Sequence, residues 1–233
     1  MKAAEFIKKI SEFITEQERG KLEKFFKGND GRTKALGVKF GIVFKTAKEF
    51  TNMSIAEINK LLDSEYYEVR MGAAAIMDYQ ARKKKISEAD HQALFDLYLA
   101  RHDRLNNWDF VDRASYNVVG RYLEKKPRDI LYQLAKSNNV WERRTAIVAT
   151  YHFIKQGDLD DTFNIAEILI HDEHELINKA VGSWIREAGK KDEKRLKEFL
   201  DKHAATMPRI TLRYAVEKFS KQDKEHYMKL KKS

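Results

Sequence analysis

The chain has 233 residues and a mass of 27.4 kDa, enough to bury one substantial core or to form one array of repeats. It contains no cysteine, which excludes disulfides, thiolate metal sites and a cysteine nucleophile. Lysine and arginine outnumber aspartate and glutamate by 45 to 36, for a formal net charge of +9. This balance favours a polyanionic partner, although many basic proteins bind nothing acidic.

No signal for export or membrane insertion is visible in the sequence. The amino-terminal residues lack an apolar signal core, and no uninterrupted apolar run approaches 18 residues. We therefore expect a soluble, cytoplasmic protein that has no membrane partner.

The composition favours helix along almost the whole chain, since there are only 2 prolines and 10 glycines. Apolar residues at helical spacing from Phe6 to Ile14 predict an amphipathic first helix, and its apolar face continues to Phe26. The glycine-containing stretch 28–31 predicts a loop after it. We see no alternating apolar run that predicts a sheet.

Three later segments share a polar loop followed by a helix with small residues, which is the pattern of a helical repeat. In each segment a serine or aspartate is predicted to cap the helix; these residues are Ser64, Ser137 and Asp172. A fourth helix after its own loop joins the series. Aligned in this way, the equivalent positions are Met71, Asp112, Arg144 and Lys179, at spacings of 41, 32 and 35 residues. These spacings lie in or just below the range of HEAT-type helical pairs.

Helical pairs of this kind cannot bury their apolar faces alone, so they stack into a curved solenoid. We therefore predict an all-α fold: one solenoid of HEAT-like repeats over residues 1–233, with a concave basic groove. Residues 1–27 are predicted to form an amino-terminal helical cap, and residues 229–233 a frayed basic tail. Because equivalent positions of stacked repeats lie side by side, we expect Asp112, Arg144 and Lys179 to share the groove.

The candidate chemistry lies in the stretch from Asn106 to Asp112. Trp108 and Asp112 are four residues apart and project from one helical face. An indole can present its π face to a cationic base, and a carboxylate can stabilise positive charge that develops on a sugar. Phosphates of a duplex would lie near Arg144, Lys179 and Arg186, and such contacts make affinity depend on salt.

Each of these residues also has a structural interpretation. Trp108 taken alone is more often a core residue, and Asp112 a solvated or ion-paired carboxylate. Asp109 is predicted to cap a helix or end the loop, without a catalytic role. Arg143 and Arg144 are adjacent and point about 100° apart, so at most one of them is expected to face the groove. The His171 and His174 spacing does not match the metalloprotease pattern, and no metal site is predicted there.

Five motifs occur in one order along the chain, and together they resemble the HEAT-like-repeat DNA alkylation repair glycosylases, the AlkD family. The resemblance covers about residues 20 to 220. The motifs are Leu36-Gly37-Val38, Asn107-Trp108-Asp109-Phe110-Val111-Asp112, Trp141-Glu142-Arg143-Arg144-Thr145-Ala146, Asn178-Lys179-Ala180-Val181-Gly182 with Arg186-Glu187, and Met207-Pro208-Arg209.

The resemblance implies a monomeric, monofunctional glycosylase that releases N3- and N7-alkylated purines from double-stranded DNA without a metal or cofactor. It implies that Asp112 is the catalytic carboxylate, Trp108 the aromatic contact to the lesion's sugar, and Arg144 a phosphate or sugar contact. The remaining candidate DNA contacts are Lys179, Arg186, Arg143 and Trp184.

The chain departs from the family pattern at two places. Gly41 and Phe44 stand where family members carry a proline and then an arginine. Ser183 stands at the position of the second groove aromatic, and Trp184 follows one residue later, about 100° around the helix.

Two alternatives to a glycosylase remain open from the sequence. One is a non-catalytic solenoid that binds bent, branched or damaged DNA by shape and charge. The other is a protein-interaction scaffold, which predicts an apolar or mixed groove. A groove-facing Asp112 favours the enzyme, because a carboxylate near phosphate weakens binding unless chemistry requires it.

Overall fold

The computed structural model describes residues 1–23 and 31–230, in which the regular secondary structure is helical. An isolated bridge pairs Lys34 with Tyr66. The helices in chain order are α1 Ala3–Ser11, α2 Glu16–Glu23, α3 Phe40–Glu49, α4 Ile55–Leu62, α5 Tyr67–Ala81, α6 Glu88–Ala100, α7 Trp108–Ser115, a π-helix Tyr116–Gly120, α8 Asp129–Ala135, α9 Val140–Ala149, α10 Tyr151–Gln156, α11 Asp160–Leu169, α12 Glu175–Gly189, α13 Glu193–His203, α14 Arg209–Ala215 and α15 Lys221–Lys229. The predicted all-α class is confirmed. Among the described residues, no helix has both the length and the apolar character needed to cross a bilayer.

Contacts divide the chain into two compact units, Met1–Tyr122 and Leu123–Ser233. In the first unit, α5 packs against α3, α4 and α7. In the second, α12 packs against α9, α11 and α14. The single-domain organisation, with a cap at 1–27 and a tail at 229–233, stays a prediction.

The predicted repeat register agrees with the positions at which the helices begin. The residues that precede α5, α7, α9 and α12 are Tyr66, Asn107, Asn139 and His174. Met71, Asp112, Arg144 and Lys179 each lie five residues after one of these positions. The same register extends to two helices that the sequence comparison did not include, with Phe44 in α3 and Arg213 in α14.

The predicted helix caps are wrong by two residues. Ser64, Ser137 and Asp172 accept a hydrogen bond from the backbone N–H two residues on, at 3.1, 3.0 and 2.8 Å. Serine and aspartate have short side chains, and a hydrogen bond of this kind closes a turn that ends before the helix starts. The side chains that do cap are Asn139, which accepts from Trp141 N, and His174, which accepts from Leu176 N through Nδ1.

The amino-terminal segment forms two helices instead of the single one predicted. Phe13 and Ile14 lie between α1 and α2 and are 46% and 37% exposed, so they do not belong to the core. The break occurs because Thr15 donates its backbone N–H to Gly37 O at 2.9 Å, a long-range bond that periodicity cannot indicate. Phe25, Phe26 and residues 28–30 of the predicted loop lie outside the described residues.

A buried carboxylate holds the chain that leads into α3. Glu68 is fully buried and accepts hydrogen bonds from the backbone N–H groups of Leu36, Gly37 and Val38, at 2.8, 2.6 and 3.1 Å. Gly37 has a φ of +99°, and a Cβ there would lie 2.7 Å from Thr15 O. The Leu36-Gly37-Val38 motif therefore needs its glycine for both backbone conformation and space.

Candidate functional site

The two residues predicted for the chemistry lie on the first turns of α7. Trp108 is the first residue of the helix and Asp112 follows four residues later, so both project from the same face. Both side chains are half-buried and both contact other parts of the protein. Trp108 is therefore neither a fully buried core residue nor a fully exposed one.

A buried polar cluster lies beneath this end of α7. The hydroxyl of Tyr67, from α5, accepts a hydrogen bond from Asn107 Nδ2 at 2.6 Å and donates a short one to Asp109 Oδ1. Tyr67 and Asn107 are almost completely buried, at 2% and 1% exposure. The ring of Tyr67 packs against Phe110, with centroids 4.6 Å apart. One hydroxyl thus contacts the residues on both sides of Trp108.

The sequence predicted that Asp109 caps a helix or ends the loop, but the structure places Asp109 at the second position of α7. Asn107 precedes the helix and Trp108 is its first residue. Burial raises the pKa of its carboxyl to about 6, and the nearby charge of Asp112 also raises this pKa. The hydrogen bonds from Tyr67 and from the backbone lower the pKa, but they do not offset the effect of burial. The pKa of Tyr67 is raised as well, first by burial and then by Asp109. Within the described residues, Asp109 Oδ2 and Asn107 Oδ1 are buried acceptors without a hydrogen-bond partner.

Phe44, in α3, is one of the residues at which the chain departs from the family pattern. Its ring packs on Arg113, the residue that follows Asp112. The guanidinium of Arg113 lies between the rings of Phe44 and Tyr79, at 4.7 and 4.8 Å from their centroids. Its Nη2 also lies 3.1 Å from Oδ2 of Asp78, which is fully buried. Phe44 is half-buried, and it joins a cation–π arrangement rather than the interior core.

In the second unit, Arg144 is tied to the start of the neighbouring helix. It is 6% exposed, and its Nη1 donates to Leu176 O, in the first turn of α12, at 2.7 Å. Lys179 lies one turn further along α12 and is half-buried, with a short ion pair to Glu175. The structure thus brings these two predicted phosphate contacts to adjacent helices, since α9 packs against α12.

Arg186 continues the face of α12 that carries Lys179. It forms a short ion pair with Glu217 and a second one with Glu187 at 3.3 Å. Ser183 lies four residues after Lys179 and three before Arg186, so helical spacing places all three on one face.

Trp184 points elsewhere on α12 than Ser183 does. Its indole Nε1 donates to Val148 O at 3.0 Å, and its ring meets Tyr151 edge to face at 6.1 Å. Trp184 is therefore engaged in packing α12 against α9 and α10. Its predicted contact to DNA stays a prediction.

Arg143, in the second compact unit, holds a loop in the same way as Arg70 does in the first unit. Arg143 Nη1 donates to the carbonyls of Ser137 and Asn138, at 2.9 and 3.1 Å, and Nε donates to Asp172 at 2.6 Å. Fully buried Arg70 Nη1 contacts the carbonyls at the equivalent positions, 64 and 65, at 3.1 and 3.4 Å. The equivalence indicates a structural role for Arg143, and its predicted DNA contact stays a prediction.

Sequence reasoning did not select two residues that the structure associates with the site. Tyr67 follows the turn of the first repeat segment directly, but its partners lie about forty residues away in sequence. Arg213 is exposed and lies five residues after Pro208, at the position of α14 that matches Lys179 in α12. The repeat register was the available signal for Arg213, and nothing local indicated Tyr67.

The predicted sharing of one groove by Asp112, Arg144 and Lys179 stays a prediction, because Asp112 belongs to the first compact unit and the other two belong to the second. No group of three or more histidines and carboxylates in residues 1–23 and 31–230 is arranged to hold a metal ion. His174, in the histidine pair considered above, uses its ring nitrogen to cap α12.

Comparisons with known proteins agree with this architecture. The sequence model of the family described as "DNA alkylation repair enzyme" matches residues 6–219. A solved structure titled "Predicted DNA alkylation repair enzyme from Enterococcus faecalis" superimposes with a TM-score of 0.73 at 15% identity, covering 90% of this chain and 98% of that one. At this identity the structural likeness concerns the fold. A search of curated proteins finds no match.

Proposed function

The chain belongs to the DNA alkylation repair enzyme family, and from that membership we propose that it is a monofunctional DNA glycosylase. Its proposed substrate is double-stranded DNA that carries N3- or N7-alkylated purines, and its reaction is hydrolysis of the N-glycosidic bond. The observation that carries the proposal is the placement of Trp108 and Asp112 on one face at the start of α7. We further propose that it acts as a monomer in the cytoplasm, without a metal or cofactor.

The chemistry suits a site with one carboxylate and one indole. An N3- or N7-alkylated purine is already cationic and leaves as a neutral base, so its departure needs no general acid. Positive charge then develops on the sugar, as in other glycoside hydrolyses. In the proposed mechanism the Asp112 carboxylate stabilises that charge and positions the attacking water, while the Trp108 ring packs against the sugar.

The proposed contacts to the DNA backbone come from the second unit. Arg144, Lys179 and Arg186 lie on helices that pack against each other, and Arg213 extends their register to α14. Each phosphate contact releases counterions and steepens the dependence of affinity on salt. Arg143 and Trp184, like Arg144, are engaged within the protein, and a DNA contact by either of them stays a prediction of the sequence alone.

The test is base release from a duplex that carries a single N7-methylguanine, with protein in excess. Asp112→Asn is expected to lower the single-turnover rate by roughly 100- to 1,000-fold, the scale of losing one transition-state electrostatic contact. Its duplex affinity, measured by fluorescence anisotropy, is expected to be retained or slightly raised, because a negative charge near phosphate is removed. Asp129→Asn, at an exposed carboxylate on α8, is the matched control and is expected to leave both quantities unchanged.

The outcomes separate the enzyme from a DNA-shape binder. Tight binding by the native protein without release from N7- or N3-alkylated duplexes would overturn the glycosylase proposal. Release that persists in Asp112→Asn would keep the activity but remove Asp112 from the mechanism.

A further inference from the structure

The start of α7 differs from the starts of α9 and α12, although α5, which Tyr66 precedes, also has no side-chain cap. Asn139 and His174 precede α9 and α12, and their side chains cap those helices by accepting a backbone N–H. Asn107 precedes α7 and makes no such bond. Its amide instead donates to Tyr67 on another helix. The repeat that carries Trp108 and Asp112 therefore replaces a local cap with a tertiary contact, and such departures from local rules concentrate at functional sites.

We propose that Tyr67 is a positioning residue of this site: its hydroxyl, bound to both Asn107 and Asp109, fixes the direction in which Trp108 leaves the helix. The catalytic consequence rests on the function proposed above. The structural consequence, a set orientation of Trp108, does not.

The geometry restrains Trp108 from both sides. The residue before it donates a hydrogen bond to the Tyr67 hydroxyl, and the residue after it accepts a hydrogen bond from that hydroxyl. Two side-chain hydrogen bonds to a single oxygen atom thus restrain the residues on either side of Trp108. Asp112, one turn further along, is then placed by the helix itself.

The anchor itself has little freedom to move. Tyr67 is 2% exposed. Its ring is 4.6 Å from that of Phe110 and 6.1 Å from that of Phe40, and the buried guanidinium of Arg70 lies 5.9 Å from its centroid. Because Asn107 is equally buried, water does not replace the hydroxyl freely when it is removed. Removal of this oxygen atom is therefore expected to change the position of the first residues of α7, because no water molecule takes over its hydrogen bonds.

Tyr67→Phe keeps the ring and removes only this oxygen. We expect it to lower the single-turnover rate of base release by about 10- to 100-fold, the scale of a misplacement of about 1 Å. Duplex affinity is expected to be retained, since the proposed phosphate contacts lie on other helices. A merely structural role for Tyr67 would lower the melting temperature without this separation of rate from affinity.

The matched control is Tyr132→Phe. The Tyr132 hydroxyl also donates to a carboxylate, Asp161 Oδ1, at 2.6 Å, but it does so within the second unit, between α8 and α11. The direct readout is the ¹⁹F NMR spectrum of protein labelled with 5-fluorotryptophan, in which Trp108→Phe identifies the Trp108 resonance among those of the 3 tryptophans. We expect Tyr67→Phe to shift or broaden that resonance and Tyr132→Phe to leave it unchanged.

A Trp108 resonance that is unchanged in Tyr67→Phe would overturn the proposal, as would equal losses of rate in the two variants. If the native protein releases no base, the proposed function fails, while the NMR comparison still decides whether Tyr67 orients Trp108. If Tyr67→Phe does not fold, Asn107→Ala removes only one of the two hydrogen bonds. A smaller change in the same resonance is then expected, and no change would refute the positioning role.

Discussion

Gly182, in the Asn178–Gly182 motif, lies where α12 packs closely against α14. A Cβ built on Gly182 would lie 2.4 Å from Thr211 O and 2.7 Å from Tyr214 Cβ. The first of these atoms belongs to the backbone and cannot rotate away. Gly182→Ala should therefore push two packed helices apart rather than displace one flexible side chain.

Two opposing terms determine the size of the effect. Replacing glycine by alanine within a helix stabilises it by about 1 kcal/mol. Overpacking an interior contact costs about 1 to 3 kcal/mol, and a rigid backbone neighbour favours the upper end. We expect a net loss of about 2 kcal/mol in the free energy of unfolding. For a chain of this length that corresponds to a fall of about 4 to 8 °C in melting temperature.

The assay is chemical and thermal unfolding of the native protein and the variant, followed by circular dichroism. Gly41→Ala provides the matched control, because a Cβ on Gly41 would meet nothing within 4 Å and the residue lies in the first turn of α3. It is expected to stabilise the protein by about 0.5 to 1 kcal/mol. If Gly182→Ala were as stable as the native protein or more so, the steric account of this glycine would be refuted.

The remaining two predictions concern charge. The pKa of Asp109 is raised to about 6, so the folded state loses stability as pH rises from about 4, where the unfolded carboxyl ionises, through about 6. Asp109→Asn removes this loss, and its free energy of unfolding relative to the native protein should increase between pH 4 and pH 7.5; a constant difference in denaturant titrations would contradict this. Glu217→Gln frees Arg186 from a short ion pair and should raise duplex affinity up to about fivefold at low salt, with a steeper salt dependence. Glu225→Gln, at an exposed carboxylate on α15, is its control, and unchanged affinity in Glu217→Gln would argue against a DNA contact by Arg186.

The sequence by itself determined the helical class and the repeat register, because both depend on local signals. Polar turns followed by helices recur along the chain at similar spacings, so the segments can be aligned by sequence. Asp112, Arg144 and Lys179 occupy the same position relative to the starts of their helices. Periodicity was less informative about where a helix ends. The chain breaks between α1 and α2 because of a bond from Thr15 to Gly37, which no local pattern contains.

Only the tertiary structure decided what each side chain near the site is bonded to. Asn107 directly precedes α7, yet its amide donates to the hydroxyl of Tyr67, 40 residues away in sequence. The sequence predicts that Asp109 caps a helix or ends the loop, whereas its raised pKa arises from burial of its carboxyl in the folded protein. Residue type sets which bonds a side chain is able to make, but burial and partner choice depend on how distant segments pack. The burial and the hydrogen-bond partners of these side chains are therefore determined only when the helices pack against one another.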